Sequence, residues 1–117
     1  RMEIAGVFRG KPAFEIGECT SVLNGFRKSD GIMCAVRSMA PEVIICDEFG
    51  GEGEIAASLY AMKSGAQIIA SMHCLDLEDL RSKNEFKFLA ERGVFKWVVI
   101  TGHGCKTESI VKVGEIL

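Results

Sequence analysis

Two adjacent carboxylates, Asp47 and Glu48, directly follow a short apolar run in the segment EVIICDEFGG. The run VIIC is rich in β-branched residues and has the length of a buried strand, so both carboxylates are expected at the carboxyl end of that strand. One carboxylate there can hold Mg²⁺, usually through water, beside the phosphates of a nucleotide. The second can polarise an attacking water. An acidic pair alone is also typical of a solvated turn, but the apolar run before it favours a Walker B strand.

A second polar strand end lies further along the chain. Ser71, Met72 and His73 follow the apolar run QIIA, which also has the pattern of a buried strand. Ligands of parallel sheets sit at the carboxyl ends of the strands, so these residues are expected beside the carboxylate pair. Ser71 or His73 is suited to sensing a terminal phosphate or orienting water, although His73 alone fits a structural role equally well.

Apolar periodicity predicts the elements that position these side chains. Buried strands alternating with helices indicate an α/β fold, with a mostly parallel sheet covered on both faces and a C-terminal antiparallel hairpin. The expected order is a helix from Gly31 to Pro41, the strand VIIC, a helix ended by Gly65, the strand QIIAS, helices starting at Asp76 and Asn84, and the strands KWVVIT and ESIVKV.

A Walker B strand works with a phosphate-binding loop, G-x-x-x-x-G-K-[ST], between a strand and a helix. The segment GVFRGKP has only three residues between its glycines, and Pro12 stands where Ser or Thr would bind Mg²⁺. Proline also removes a backbone donor of the kind that cradles phosphate. The segment TGHGCKTES has Cys105 in place of the second glycine and is followed by a strand pattern. Neither segment is predicted to bind phosphate.

Composition narrows the class of protein. A chain of 117 residues supports one domain, and its net charge of −2 does not indicate a nucleic-acid binder. No apolar stretch reaches the roughly 18 residues that a transmembrane segment needs. The five cysteines are odd in number and lack a C-x-x-C pair, which is typical of a reducing cytosol. A thiol or metal protein built on His73, Cys74, His103 and Cys105 is a weaker alternative, because these residues lack the usual zinc spacing.

Three segments carry a resemblance to a known family. VRSMAPEVIICDEFGG, SGAQIIASMHCLDLEDL and FKFLAERGVFKWVVIT resemble the C-terminal half of the stage III sporulation protein AA family. That family belongs to the P-loop ATPases and is related to secretion and pilus ATPases. The resemblance implies a partial three-layer P-loop NTPase fold of the RecA/ASCE-like type. Residues 1–117 would then be the C-terminal portion of the ATPase domain, with the Walker A segment upstream of residue 1.

The resemblance also implies roles for individual residues. Asp47 and Glu48 match the Walker B pair, with Asp47 holding Mg²⁺ through water and Glu48 catalytic. His73 matches the histidine box of the secretion-type relatives, and Ser71 is its sensor-like neighbour.

The resemblance implies roles for two further residues. Glu3 would be a remnant of the acidic box, a further catalytic element of the family. Arg37, in the segment VRSM, is a candidate for a phosphate or subunit contact. Its alternative is a helix arginine that faces solvent.

The function implied for the full-length protein is ATP hydrolysis that powers a sporulation-associated membrane channel or secretion complex. The expected assembly is a cytoplasmic homo-oligomer, a hexameric ring, peripheral to the membrane and docked on sporulation proteins of a membrane complex. The isolated chain is expected to self-associate and to be inactive. The alternative is a degenerate P-loop-like module that acts only as a protein-interaction domain through an exposed strand edge.

Overall fold

The computed structural model describes residues 15–102 and 106–117, which form an α/β structure of five helices and four strands. The elements are α1 (Lys28–Ser38), β1 (Val43–Cys46), α2 (Glu52–Lys63), β2 (Gln67–Ala70), α3 (Leu77–Ser82), α4 (Asn84–Glu91), β3 (Trp97–Thr101), β4 (Thr107–Lys112) and α5 (Val113–Ile116). The longest helix within these ranges, α2, has 12 residues. None of the described helices is both long and apolar enough to cross a membrane.

Local sequence signals explain most of these boundaries. The side chain of Asp76 caps α3 by accepting from the backbone N–H of Asp79 at 2.8 Å. Gly65 follows α2 with φ of +94°, a conformation that glycine adopts without steric cost. The first helix begins at Lys28, before the predicted start. The short helix α5 was not predicted, since it is four residues long and depends on the burial of Val113 and Ile116.

The strands form two separate pairs rather than one sheet. β1 and β2 are parallel, with Ile45 opposite Ile69 and Cys46 opposite Ala70. β3 and β4 are antiparallel, as the predicted C-terminal hairpin requires. The expected parallel strands and C-terminal antiparallel hairpin are therefore both found, but within the described residues they are two separate two-stranded pairs.

The parallel pair is covered on one face only. Cys46 and Ile68 point into the core and are 8% and 9% exposed. Val43, Ile45 and Ile69 lie on the opposite face and are 47%, 54% and 58% exposed. Within the described residues the predicted burial on both faces is therefore not found, because the second face of the parallel pair is about half exposed. We call this surface of the parallel pair the open face; Trp97, Val99 and Ile110 of the hairpin are exposed as well.

Two apolar clusters hold the helices against the strands. The larger one joins α1, α2 and α4 to the parallel pair, and the smaller one joins α3, α4 and α5 to the hairpin. Phe95 contacts both clusters and lies between two buried aromatic rings. Its ring centroid is 6.1 Å from that of Phe49 and 6.4 Å from that of Phe86. Phe95 therefore couples the residue directly after Glu48 to the hairpin side of the molecule.

Candidate functional site

The two polar strand ends meet, as the sequence predicts. The backbone N–H of Glu48 donates to Ser71 Oγ at 3.2 Å, and the N–H of Phe49 donates to the Ser71 carbonyl at 2.8 Å. The Ser71 N–H in turn donates to the Cys46 carbonyl at 3.1 Å. The parallel pairing of β1 and β2 thus continues one step past the strands, so that Ser71 holds the turn that carries Glu48.

Glu48 adopts a left-handed backbone conformation with φ of +42°. For a residue with a side chain this conformation is unfavourable, and it persists where the surroundings impose it. Three contacts do so here. They are the bond to Ser71, the burial of Phe49 at 4% exposure, and a hydrogen bond from Lys28 Nζ to the Glu48 carbonyl at 2.9 Å.

Lys28 also faces two carboxylates. Its ammonium lies 3.7 Å from Asp47 Oδ1 and 4.0 Å from Glu54 Oε1. The side chain of Lys28 is 28% exposed, and those of both carboxylates are 15% exposed, so solvent screens the three charges only in part. Three oxygen atoms from two different segments therefore converge on one cation.

Glu54 fixes the chain on the other side of the turn. Its Oε2 accepts from the backbone N–H groups of Gly50 and Gly51 at 2.7 and 3.0 Å, at the start of α2. A carboxylate in the first turn of a helix also interacts favourably with the helix dipole. Gly53 lets the starts of α1 and α2 approach each other, because a Cβ at Gly53 would lie 3.2 Å from the side chain of Ser29.

His73 stands at the solvent side of the site. Its Nε2 lies 3.7 Å from Glu48 Oε1, and the imidazole is 92% exposed. This separation is too long for a hydrogen bond but permits an ion pair when the ring is protonated. A cavity of about 460 Å³ opens beside both side chains. Its lining residues are Glu48, Phe49, Gly50, Met72, His73, Lys83 and Glu85.

Cys46, the last residue of β1, directly precedes the acidic pair in the chain. Burial raises the pKa of the Cys46 thiol from 9.0 to about 11, and the nearby negative charge of Glu54 adds to the effect. The thiol is therefore protonated at neutral pH and is not a nucleophile of the site.

The carboxylates that face Lys28 are oxygen donors of the kind that a hard cation takes, and the Lys28 ammonium lies against both of them here. Mg²⁺ prefers oxygen ligands, keeps several waters and commonly takes one or two protein carboxylates, and Asp47 and Glu54 supply two here. No group of three or more His, Cys, Asp or Glu side chains is arranged as a metal site in the described part of the chain. The alternative thiol or metal site needs His103 and Cys105, which lie outside the described residues.

One sequence-predicted residue, Arg37, is not brought to this site. Arg37 is exposed in the last turn of α1, whereas Lys28 is the first residue of the same helix. At 1.5 Å per residue, about 13 Å of helix axis separates them. The suggested phosphate or subunit contact of Arg37 stays a prediction. Glu3 lies outside the described residues, and its role also stays a prediction.

Lys28 and Glu54 belong to the site but were not predicted from the sequence. One signal was present for Lys28, because a cation in the first turn of a helix opposes the helix dipole and needs compensating contacts. For Glu54 the signal was its place three residues into a helix after a glycine, where a carboxylate can accept from preceding N–H groups.

Comparison with known proteins agrees with the segments that surround this site. The family model described as "Sporulation stage III, protein AA" matches residues 1–115. "Stage III sporulation protein AA" of Bacillus subtilis (strain 168) is 39% identical over 95 residues, which are 81% of this chain and 31% of that protein. The chain thus spans about a third of the length of this curated relative. No solved structure matches it. The chain belongs to the sporulation stage III protein AA family.

Proposed function

We propose that this chain carries the catalytic half of an ATPase site, in which Glu48 polarises the water that attacks ATP. One observation carries the proposal: Glu48 is held in a left-handed turn at the carboxyl end of a parallel strand pair. Ligands of parallel sheets bind at this end, and imposed backbone strain of this kind is concentrated at functional sites.

Each residue of the site has a role in this proposal. Asp47 would hold Mg²⁺, which would neutralise charge on the phosphates. Glu48 orients and polarises the attacking water. Ser71, whose hydroxyl accepts from the backbone N–H of Glu48, holds the turn that carries Glu48. His73, exposed beside Glu48, is suited to contact the terminal phosphate.

We further propose that the complete domain has a three-layer P-loop NTPase fold. The open face supports this idea, because parallel strands are normally buried on both faces. Further strands and helices, including a Walker A segment, would come from parts of the longer protein that this chain does not include. Phosphate-binding backbone donors and the Walker A lysine would then be supplied from outside these 117 residues.

Family membership supports a sporulation role for the full-length protein. We propose a cytoplasmic homo-oligomeric ring of six subunits, peripheral to the membrane, that couples ATP hydrolysis to a membrane channel or secretion complex. Movement between subunits would transmit the energy of hydrolysis to its sporulation partners.

The test is a Glu48→Gln substitution in a longer protein of this family that contains this chain and a Walker A segment. We expect the kcat for ATP hydrolysis to fall roughly 100-fold or more, because the amide cannot accept a proton, while ATP binding persists. Glu42→Gln is the matched control, since Glu42 is an exposed carboxylate just before the other end of β1. Hydrolysis by Glu48→Gln at the parent rate would refute the catalytic role.

The isolated chain gives a complementary test. Without a Walker A segment it should neither hydrolyse ATP nor bind it tightly, because the P-loop supplies most contacts with the triphosphate. Low-micromolar binding in isothermal titration calorimetry would show that this explanation is wrong.

A second candidate function is a protein-interaction module without catalysis. Two sets of exposed large apolar side chains favour it: Val43, Ile45 and Ile69 on the open face, and Trp97, Val99 and Ile110 on the hairpin. Such a module would remain active in partner binding after Glu48→Gln and would show no ATP turnover in any longer form. The ATPase proposal predicts the opposite for turnover. Sedimentation of the isolated chain tests whether the open face drives self-association, and a strictly monomeric profile at high concentration would contradict that expectation.

A further inference from the structure

Lys28 lies where three groups of the site need a cation. Its Nζ donates to the Glu48 carbonyl at 2.9 Å and lies 3.7 and 4.0 Å from Asp47 Oδ1 and Glu54 Oε1. The bond to the carbonyl is the shortest of the three, so the ammonium is positioned primarily on the backbone of the turn. Hydrogen bonds from a charged donor are roughly twice as strong as neutral ones.

The position of Lys28 in its helix is otherwise unfavourable. It is the first residue of α1, where the helix dipole repels a positive charge. Its side chain is also largely withdrawn from water, at 28% exposure. Both effects oppose a lysine at this position, so contacts with the turn and the carboxylates must compensate for them.

The turn at Glu48 must also be held by other parts of the chain. A left-handed conformation at a residue with a side chain reverts to ordinary geometry unless its neighbours hold it. Ser71 holds the N–H of Glu48 on one side, and Lys28 holds its carbonyl on the other. The two hydrogen bonds hold the same residue from two different elements, the end of β2 and the start of α1.

We propose that Lys28, together with Ser71, is a positioning residue of this site. Its ammonium locks the Glu48 turn and balances the charges of Asp47 and Glu54, so that the Glu48 carboxylate is presented to the cavity beside His73. This inference rests on the proposed function for its catalytic consequence, but the locking of the turn stands on the contacts alone. A cation recruited by Asp47 would share that carboxylate with the lysine.

The first test measures the turn directly and needs no nucleotide. Amide hydrogen exchange of Phe49, whose N–H bonds to the Ser71 carbonyl, reports opening of the turn. In the full 117-residue chain, Lys28→Met should speed this exchange roughly tenfold, the effect of losing one charge-assisted hydrogen bond. Lys28→Arg, which keeps the charge and the donors, should restore at least part of the protection.

The matched control is Lys63→Met, since Lys63 is an exposed lysine in the last turn of α2, the helix that carries Glu54 at its start. It should leave the Phe49 exchange rate unchanged. Unchanged Phe49 exchange in folded Lys28→Met would overturn the proposal. If Lys28→Met does not fold, Lys28→Gln takes its place, because glutamine keeps a donor without the charge. Parent-like Phe49 exchange in Lys28→Gln would equally refute the need for an ammonium.

The second test separates positioning from the proposed function. In the longer protein, Lys28→Met should lower kcat for ATP with little change in KM, and Lys28→Arg should recover part of the rate. Faster Phe49 exchange in a protein that never hydrolyses ATP would sustain the positioning role and refute the ATPase. Full ATP turnover by Lys28→Met, with faster exchange, would sustain the ATPase and refute the catalytic importance of Lys28.

Discussion

The two ends of β1 carry the same backbone anomaly for different reasons. Ala40, before the strand, and Glu48, after it, both have left-handed conformations, with φ of +45° and +42°. Ala40 follows the last residues of α1 and precedes Pro41. A left-handed residue just past a helix is a common way for a helix to end, and proline then prevents its continuation. Local chain geometry therefore accounts for Ala40.

No helix ends at Glu48, so another explanation is needed there. Contacts from distant parts of the chain impose its conformation, 20 residues away at Lys28 and 23 residues away at Ser71. The first turn is thus required by chain connectivity, whereas the second is held by contacts with distant residues. We call them the amino-end turn and the site turn.

The cavities at the two ends of β1 also differ, in the charged side chains that line them. A cavity of about 360 Å³ at the amino-end turn is lined by Val36, Ala40, Pro41, Glu42, Ser64, Gly65, Ala66 and Gln67. The cavity at the site turn also brings together side chains of both charge signs, among them Glu48, Lys83 and Glu85. Convergent polar groups distinguish a ligand site from a simple surface hollow, so the site turn is the better candidate.

The largest difference between the turns should be in their anchoring. Phe49→Ala should lower the free energy of unfolding by about 4 kcal/mol, because a nearly buried aromatic ring leaves a cavity in the core. Met39→Ala at the amino-end turn should cost less than about 1 kcal/mol, since Met39 is 46% exposed. Denaturant unfolding of both variants gives the comparison. Equal losses would show that the site turn is not specially anchored.

The second prediction concerns how the stability of the fold depends on pH through Cys46, the residue just before the site turn. The folded-state pKa of Cys46, about 11, is raised above the value of 9.0. Protonated Cys46 therefore stabilises the fold fully below pH 9, and this contribution is lost as the pH rises from 9 to 11, by up to about 3 kcal/mol. Unfolding should be measured at pH 8.5 and 10.5 in the parent and in Cys46→Ala. The variant should lose less stability than the parent, and an identical loss would contradict the burial of the thiol.

A smaller difference in the free energy of unfolding is expected between substitutions of two serines, Ser71 at the site turn and Ser64 near the amino-end turn. Ser71→Ala removes the acceptor of the Glu48 N–H and should cost about 1 kcal/mol in the free energy of unfolding. Ser64→Ala should cost less than about 0.5 kcal/mol, because its hydroxyl donates to the Tyr60 carbonyl, which also accepts from the Ser64 N–H. Thermal or urea unfolding distinguishes them. A Ser64 effect as large as that of Ser71 would weaken the special status of the site turn.

Much of the fold was predictable because its signals are local. The run VIIC, the cap at Asp76 and the glycines at 65 and 93 mark their elements through short-range chemistry. The meeting of Glu48 and Ser71 followed from the rule that parallel strands align their carboxyl ends. These predictions needed no knowledge of how the helices pack.

The remaining features depend on packing that the sequence pattern does not encode. Lys28 reaches the site because α1 and α2 start close together, which the absence of a side chain at Gly53 permits. The open face was unexpected, since apolar residues such as Ile45 and Ile69 look the same whether or not an element covers them. Periodicity tells which residues favour burial but not what is available to bury them.

The proposed catalytic role of Glu48 is tested most directly by one substitution at each turn. Ala40→Gly and Glu48→Gly both relieve a left-handed conformation, and each should raise the free energy of unfolding by about 0.5 to 1 kcal/mol. The decisive measurement is the kcat for ATP of both variants in the longer protein. We expect the parent rate for Ala40→Gly and a rate at least roughly 100-fold lower for Glu48→Gly, despite its relieved backbone. Equal rates for the two variants would contradict the catalytic role of Glu48.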